Sequence, residues 1–446
     1  MDKEHDFFDA ERLKACAAET LAAARDQGAT AAEVEVAVDS GLSVTVRLGE
    51  VETVERQRDR SLGITLYFGQ HKGSATTSDF DAEAIRQTVT AAADIARYTA
   101  EDPYAGLAPE ERMATSFPDL DLTHPWALTP EAAIELARTC ETAGRDADAR
   151  IVNSEGATVD SGRGLGVYAN THGFVGVHEG THHDVACVLV AGENGGMQRD
   201  YWYSSARAAA DLEDAAGIGR EAARRALARL GARPLATRKT PILFAPEVAK
   251  SLIGHLLSAV AGRAQYMRAS FLLEAAGQKV LPEWTSIVER PHLARAAGSR
   301  AFDDEGVATA ERALIERGVL TGYLLSSYSA RRLGLETTGN AGGISNLDVE
   351  PGGEQPDAPF AALGTGFYVT ELIGQGVNPV TGDYSRGAAG FWVENGQIGQ
   401  AVEEVTIAGN LKDMLAGIVT IGADTDTRGS IRTGSILIGE MTLAGE

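Results

Sequence analysis

The stretch from Gly364 to Met414 limits the possible folds of this chain more than any other. Phe367-Tyr368-Val369-Thr370 is aromatic and β-branched with no breaker, which predicts a strand. Gly374, Gly376, Pro379 and Gly382 then force a tight, non-helical loop. Ala388 to Glu394 predicts a second strand. Asn395-Gly396 is the strongest short-range hairpin signal, because a type I′ turn needs positive φ at both central residues. Gln397 to Ile407 returns as a third strand, and Gly409-Asn410 opens a short helix. The end of the chain is therefore expected to be antiparallel β. The loop between its first two strands holds Glu371, Gln375, Asn378, Thr381, Asp383, Tyr384, Ser385 and Arg386, more polar capacity than a turn requires.

The run TELIGQGVNPVTGDYSRGAAGFWVENGQI, continued by VEEVTIAGNLKDM, resembles the signature region of the TldD/PmbA family and lies closest to its PmbA (TldE) branch. MQRDYWYSSAR at 197–207, TTGNAGG with NL at 337–347, and the closing GSILIGEMTLAGE extend the likeness over nearly the whole chain. The resemblance implies a subunit of a cytoplasmic peptidase assembly that cuts unfolded peptides, a family also linked to peptide-toxin maturation, antitoxin turnover and gyrase modulation.

At 446 residues the chain exceeds what one hydrophobic core usually organises. The pattern divides it into an N-terminal α+β domain (1–110), a central α+β domain (111–236) and a β-rich C-terminal domain (237–446), an α+β protein overall. In the first, Asp9 to Gln27 has helical periodicity and a glycine stop at Gly28. Glu33–Val38 and Leu42–Leu48 alternate with period two about Ser40-Gly41, which predicts a hairpin, and Leu62–Phe68 adds a strand. A second helix over 81–98 would start at Ser78 or Asp79. An acidic, proline-bearing connector covers 101–129. Thr129-Pro130 starts a helix, followed by strands at 150–154, 157–169, 172–178 and 184–191 and a helix over 212–230. The last domain begins with a strand at 241–244 and a helix at 246–261, whose Val248, Leu252, Leu256 and Val260 step by four. Residues 302–325 predict a hairpin turning at Arg317-Gly318, and 337–353 a glycine-rich loop.

The 63 acidic residues against 40 basic ones leave a formal net charge of −23. Such a chain repels phosphate backbones and shows no basic, aromatic-studded stripe, which argues against nucleic-acid binding. Cys16, Cys140 and Cys187 have no CxxC spacing, as expected in a reducing compartment. The charged start (MDKEHDFFDAERLK) does not read as a signal peptide, and no apolar run approaches the ~18 residues of a membrane helix. A cytoplasmic location is expected.

His178-Glu179-Gly180-Thr181-His182 spells H-E-x-x-H. Zinc binding by that motif requires a helix, where residues i and i+4 share a face one turn apart. The flanks are β-like, and an extended strand would hold the histidines about 13 Å apart. A polar hairpin tip is the expectation. A turn at Gly180-Thr181 with His172 and His183 nearby keeps a metal-binding alternative open. The resemblance also implies that TldD-branch members carry an HExxxH-type zinc motif on the helix corresponding to 246–261, with a cysteine ligand near the C-terminus. Here that helix holds one histidine, His255, with Glu247 eight residues earlier, and no cysteine follows Cys187. The resemblance thus implies no cofactor in this chain and zinc in a TldD-like partner, with His255 a packed or capped helix residue.

Ser385-Arg386-Gly387 lacks the G-x-S-x-G elbow. Gly162-Arg163-Gly164-Leu165-Gly166 stands between strands, unlike a phosphate cradle. Asp303-Asp304-Glu305 predicts a solvated acidic turn. In the 371–386 loop, Arg386 can clamp a carboxylate, and Gln375, Asn378 and Thr381 can bond an extended peptide backbone. Alternatively, these side chains satisfy one another and the turn amides. Three functional readings follow: a zinc-free PmbA/TldE-type subunit paired with a TldD-like chain to act on unfolded peptides, a self-sufficient peptidase built on the 172–184 histidines, or a homodimeric peptide-binding module.

Overall fold

In the computed structural model of the chain, residues 7–352 and 358–445 are described. The first six residues of the charged start, Gly353 of the predicted glycine-rich loop and the closing Glu446 lie outside them.

Helix α1 (Ala10–Asp26) starts where Asp9 accepts the N–H groups of Glu11 and Arg12, and ends before Gly28 at φ +83°. Strand β1 (Ala31–Arg47) then runs unbroken through Ser40-Gly41, so the hairpin expected there does not form. Both edges of this segment are already paired, Ser40 with Arg58 on one side and with Arg163 on the other, and a turn would forfeit both ladders. The reversal falls instead at Leu48-Gly49, whose φ values of 53° and 83° suit a two-residue hairpin. It leads into β2 (Glu50–Phe68) and β3 (His71–Thr77). Helix α2 (Ala82–Tyr98) has Asp81, not Ser78 or Asp79, at its N-cap; Asp79 accepts the Asp81 N–H and shapes the turn before it.

Helix α3 (Pro130–Arg145) is capped by Thr129 as the sequence indicates. The four strands expected between 150 and 191 are two, β4 (Ile151–Asn170) and β5 (Val175–Glu193): bulges near 152 and 155 carry the ladder through the first expected break, and Val177 to His183 pair regularly with Val167 to Ser161 across the second. Strand β6 (Gly196–Ala206) and helix α4 (Ala215–Ala228) follow.

All six strands form one sheet, in the order β3-β2-β1-β4-β5-β6. The sheet therefore runs across the boundary expected at 110, with one pair of helices over each end. Over one end, α1 and α2 bury Val34, Val36, Ile64 and Val167; over the other, α3 and α4 bury Val44, Val159, Val185 and Leu189. These residues share one face of their strands, so both helix pairs lie on the same side. The α3–α4 pair is unusually close: a Cβ on Gly219 would stand 1.9 Å from the Cys140 carbonyl oxygen. The 101–129 connector is anchored. Arg331 donates to the carbonyls of Tyr104, Gly106 and Leu107, and Met113 is buried with Phe174 and Phe302.

The last domain begins with β7 (Arg238–Phe244) and helix α5 (Pro246–Val260). The short strands β8 (Ile287–Glu289), β9 (Arg312–Glu316), β10 (Val319–Leu320) and β11 (Leu347–Val349) lead to β12 (Gly366–Ile373), β13 (Asp383–Glu394) and β14 (Gln397–Asn410). The chain closes with β15 (Ile418–Ile421), β16 (Ile431–Arg432) and β17 (Ile436–Ala444). They make a five-stranded sheet, β10-β9-β8-β11-β16, and a six-stranded one, β14-β13-β12-β7-β17-β15. The Asn395-Gly396 turn has φ of 51° and 73°, as its sequence requires, and the predicted Arg317-Gly318 turn joins β9 to β10. Leu252, Ile253, Leu256 and Val260 of α5 fill the core between them. The fold is α+β with a β-rich end.

Candidate functional site at the seam between the sheet domain and the last domain

The eight polar residues of the 371–386 segment part company in three dimensions. Asn378 Oδ1 accepts the N–H groups of Val380 and Thr381, Thr381 Oγ1 donates to Asp383 Oδ2 at 2.7 Å, and Asn410 donates to Asp383 Oδ1. Those three stabilise the turn itself. Gln375 and Ser385 are exposed. Glu371, Tyr384 and Arg386 face inward, because Tyr384, Arg386 and Ala388 alternate onto the face of β13 that packs on α5.

Glu371 and Arg386 line a cavity of about 280 Å³, together with Thr370 and Leu372 of β12, Glu247, Val248 and Ser251 of α5, Arg199, Asp200 and Tyr201 of β6, and Arg229 just beyond α4. Its carboxylates are spoken for. Arg225 donates to Asp200 at 3.1 Å and to Glu247 at 2.8 Å; Arg229 reaches Glu371 at 2.5 Å and Asp200 at 3.6 Å. Burial alone would lower the Arg225 pKa, but Asp200 and Glu247 outweigh it and keep the guanidinium charged. Arg386 differs: among the described residues no carboxylate lies within 4 Å of it.

Behind Arg386 stand His255 and Tyr384, rings edge to face with centroids 6.0 Å apart. His255 Nε2, Tyr384 Oη, Arg386 Nε and Thr370 Oγ1 are all shielded from solvent without a hydrogen-bond partner of proper geometry. Such orphans are rare in folded chains. Burial, then the Arg386 charge, lowers the His255 pKa; burial raises Tyr384 to about 12, Arg386 opposing it.

A second ionic knot lies on the other flank of α5. Lys250 reaches Asp426 at 2.7 Å, and Arg428 binds the same carboxylate while stacking on Trp202 and Tyr203. Burial would raise Asp426, but Arg428 and Lys250 overrule it and hold it at about 2.

These residues are a poor match for zinc. Zinc wants neutral imidazole, thiolate or carboxylate donors around one point. On α5, His255 has a guanidinium beside it, Glu247 is tied to Arg225, and Lys250 carries its own positive charge to Asp426. Among the described residues no group of three or more His, Cys, Asp or Glu side chains is placed to hold a metal ion.

The 172–184 histidines do not converge either, and the hairpin tip expected at 178–182 is mid-strand β5, paired with Gly166 through Gly162. The actual turn is at 171–174. His178 and His182 lie over Gly166 and Gly162, where a Cβ would strike their rings, and Asp39 lies over Gly164. The glycine run thus makes room for side chains crossing the sheet. His183 points to the opposite face, buried between Ser161 Oγ and the His124 carbonyl. His178 borders the larger cavity of about 460 Å³ between the sheet, the 117–123 connector and residues 299–304.

The expectation of a solvated acidic turn at 303–305 fails for two of its three residues. Asp303 is buried and accepts the N–H groups of Glu305, Val307 and Ala341; Glu305 accepts the Ser327 N–H; only Asp304 is exposed. Sequence reasoning assigned no role to Asp200, Arg225, Arg229, Lys250 or Asp426. The available signal was Arg225 and Arg229 at i, i+4 beside the alanine-rich inner face of α4.

Comparison with known proteins follows the same outline. The PmbA/TldA metallopeptidase domain 1, central and C-terminal domain models match residues 32–96, 123–230 and 237–445. The metalloprotease PmbA of Escherichia coli O157:H7 is 50% identical over 96% of this chain and 94% of its own length. The Haemophilus influenzae homolog is 45% identical over 93% and 92%. Among solved structures, a Bacteroides thetaiotaomicron protein provisionally described as a modulator of DNA gyrase superposes with a TM-score of 0.93 at 28% identity, over 98% of this chain and all of its own. TldE of Thermococcus kodakarensis shares the fold with a TM-score of 0.84 at 20% identity, over 96% of this chain and all of that one.

Proposed function

Because this chain belongs to the PmbA/TldD metallopeptidase family, on its PmbA/TldE branch, we propose that it is the zinc-free subunit of a two-chain cytoplasmic peptidase acting on unfolded peptides. Its TldD-like partner would carry the zinc and the hydrolytic step. This chain would complete the enclosure and present strands and seam to an extended substrate, without nucleic acid or membrane. Among the described residues no helix is long and apolar enough to cross a membrane.

The observation that carries the reading is the charge arrangement along α5. Where a hydrolytic zinc would want free donors, Glu247 is committed to Arg225 and Lys250 to Asp426, and His255 has Arg386 beside it. A divalent ion placed there would find its carboxylate donors already held by an arginine and a lysine, and a guanidinium beside its one imidazole.

The test is to purify the chain alone and together with a TldD-like partner, then measure bound zinc and cleavage of an unfolded peptide. Zinc and cleavage are expected only in the two-chain sample. One zinc per isolated chain with robust cleavage would overturn the proposal.

A further inference from the structure

Resting on that reading, we propose that the larger cavity, between the sheet, the 117–123 connector and residues 299–304, is a pocket for a basic side chain of the substrate peptide. The Glu35 carboxylate takes the ammonium or guanidinium, and the Phe117 ring packs on the stem that carries it. At about 460 Å³ the cavity falls within the ~300–1,000 Å³ of ligand-sized clefts. Its floor is the helix-free face of the sheet, where Glu35 of β1 stands opposite Tyr168 of β4. Phe302 settles on that face because β5 has Gly176 there; a Cβ would stand 2.5 Å from the ring.

Charge and shape together select the ligand. Around the cavity, Asp121 is held by Arg295, Glu179 by Arg163 and Asp304 by Arg300. Asp303 is buried and accepts three backbone N–H groups, and Arg207 donates to the Thr181 and Ala297 carbonyls. With the three pairs counted as neutral, Glu35, Asp119 and Asp303 face Arg207 alone, so the cavity carries excess negative charge. Glu35 is exposed, and among the described residues it has neither a hydrogen bond nor an ion pair. Beside it, Phe117, Tyr168, Phe174 and Phe302 pack with ring centroids 5.5 to 6.2 Å apart. Three of these rings are buried, whereas Phe117 is 50% exposed. A wetted ring near an unpaired carboxylate fits a cation carried on methylenes: the stem covers the ring, the ring quadrupole attracts the charge and the carboxylate neutralises it. A bare α-ammonium brings the charge without the stem, and an anion is repelled.

The experiment uses the purified full-length chain at physiological ionic strength and tetrapeptide amides carrying a neutral fluorophore at the C-terminal end. Four are N-acetylated, with one lysine, one arginine, one glutamate or no charged residue; the fifth is the neutral peptide with a free N-terminus. Binding is read by anisotropy. The lysyl or arginyl peptide, or both, should bind about tenfold more tightly than the neutral acetylated one, an ion pair and a cation–π contact together. The free α-amine should add nothing; binding as tight as that of the basic peptides would overturn the side-chain assignment. Glu35→Gln should remove most of the preference and Phe117→Leu should reduce it severalfold, with unchanged circular dichroism. Phe117→Leu keeps the test open should Glu35→Gln misfold. Glu19→Gln removes an equal charge from α1, on the opposite face of the sheet, and should leave the preference intact. That control separates the pocket from the general attraction of a chain with a net charge of −23. Equal binding of basic, neutral and acidic peptides, wild-type preference in a folded Glu35→Gln or Phe117→Leu chain, an equal loss in Glu19→Gln, or no binding at all would overturn the pocket. The subunit reading stands or falls separately, on zinc and cleavage in the two-chain sample.

Discussion

His255 and Arg386 face each other across the packing of α5 on β13, an imidazole and a guanidinium with, among the described residues, no carboxylate within 4 Å of the guanidinium. Elsewhere at this seam an arginine meets a carboxylate; here it meets a base whose protonation it opposes. That relationship, added to burial, contributes to the pH response of the last domain.

Burial and Arg386 place the His255 pKa below the ordinary imidazole value of 6.5 in the folded chain. The unfolded chain therefore binds the proton first as pH falls. The stability tied to neutral His255 is fully present above pH 6.5 and is lost on acidification toward the folded-state pKa. Arg386→Met should raise the His255 pKa and flatten the acid limb of a melting-temperature profile. NMR titration of the His255 ring would check the direction; an unmoved pKa in the variant would refute this account.

Arg225 joins Asp200 of β6 to Glu247 of α5, both inside the seam. Arg225→Met leaves the buried Asp200 and the half-buried Glu247 with reduced compensation and should cost about 3–5 kcal/mol in urea unfolding. Adding Glu247→Gln to that variant should recover part of the loss, because it removes one stranded charge. A double variant no better than Arg225→Met would contradict the prediction.

Gly219 lets α4 lie against α3 with backbone contact at Cys140 and Gly144. Gly219→Ala places a methyl group inside that contact, and overpacking of this kind costs ~1–3 kcal/mol or somewhat more. The expected result is a lower melting temperature, read by circular dichroism; an unchanged melting temperature would refute the close α3–α4 contact.

The three thiols are buried, and burial pushes Cys16 up to about 11. A thiol reagent should therefore leave the native chain unlabelled and modify it fully in denaturant. Fast labelling of native protein would show that α1 or α3 opens readily.

Local chemistry made the β-rich end legible in sequence. Asn395-Gly396 could only turn, and Thr129-Pro130 could only start a helix. Ser40-Gly41 misled because pairing on both edges holds it extended, and no local signal reports the neighbours. The same limit applies to the site. Arg386 was legible as a charged loop residue, but its inward aim depends on strand register. The Asp200–Arg225–Glu247 chain of charges joins residues brought together only by tertiary packing.

Strand β4 carries 20 residues, a span of about 65 Å at the usual rise per residue. Helices from two sequence modules are riveted to this shared plank, so those modules must tilt together and cannot hinge on one another. A change in how the final module sits on the plank would have to loosen the ties made by Arg225, Arg229 and Arg428.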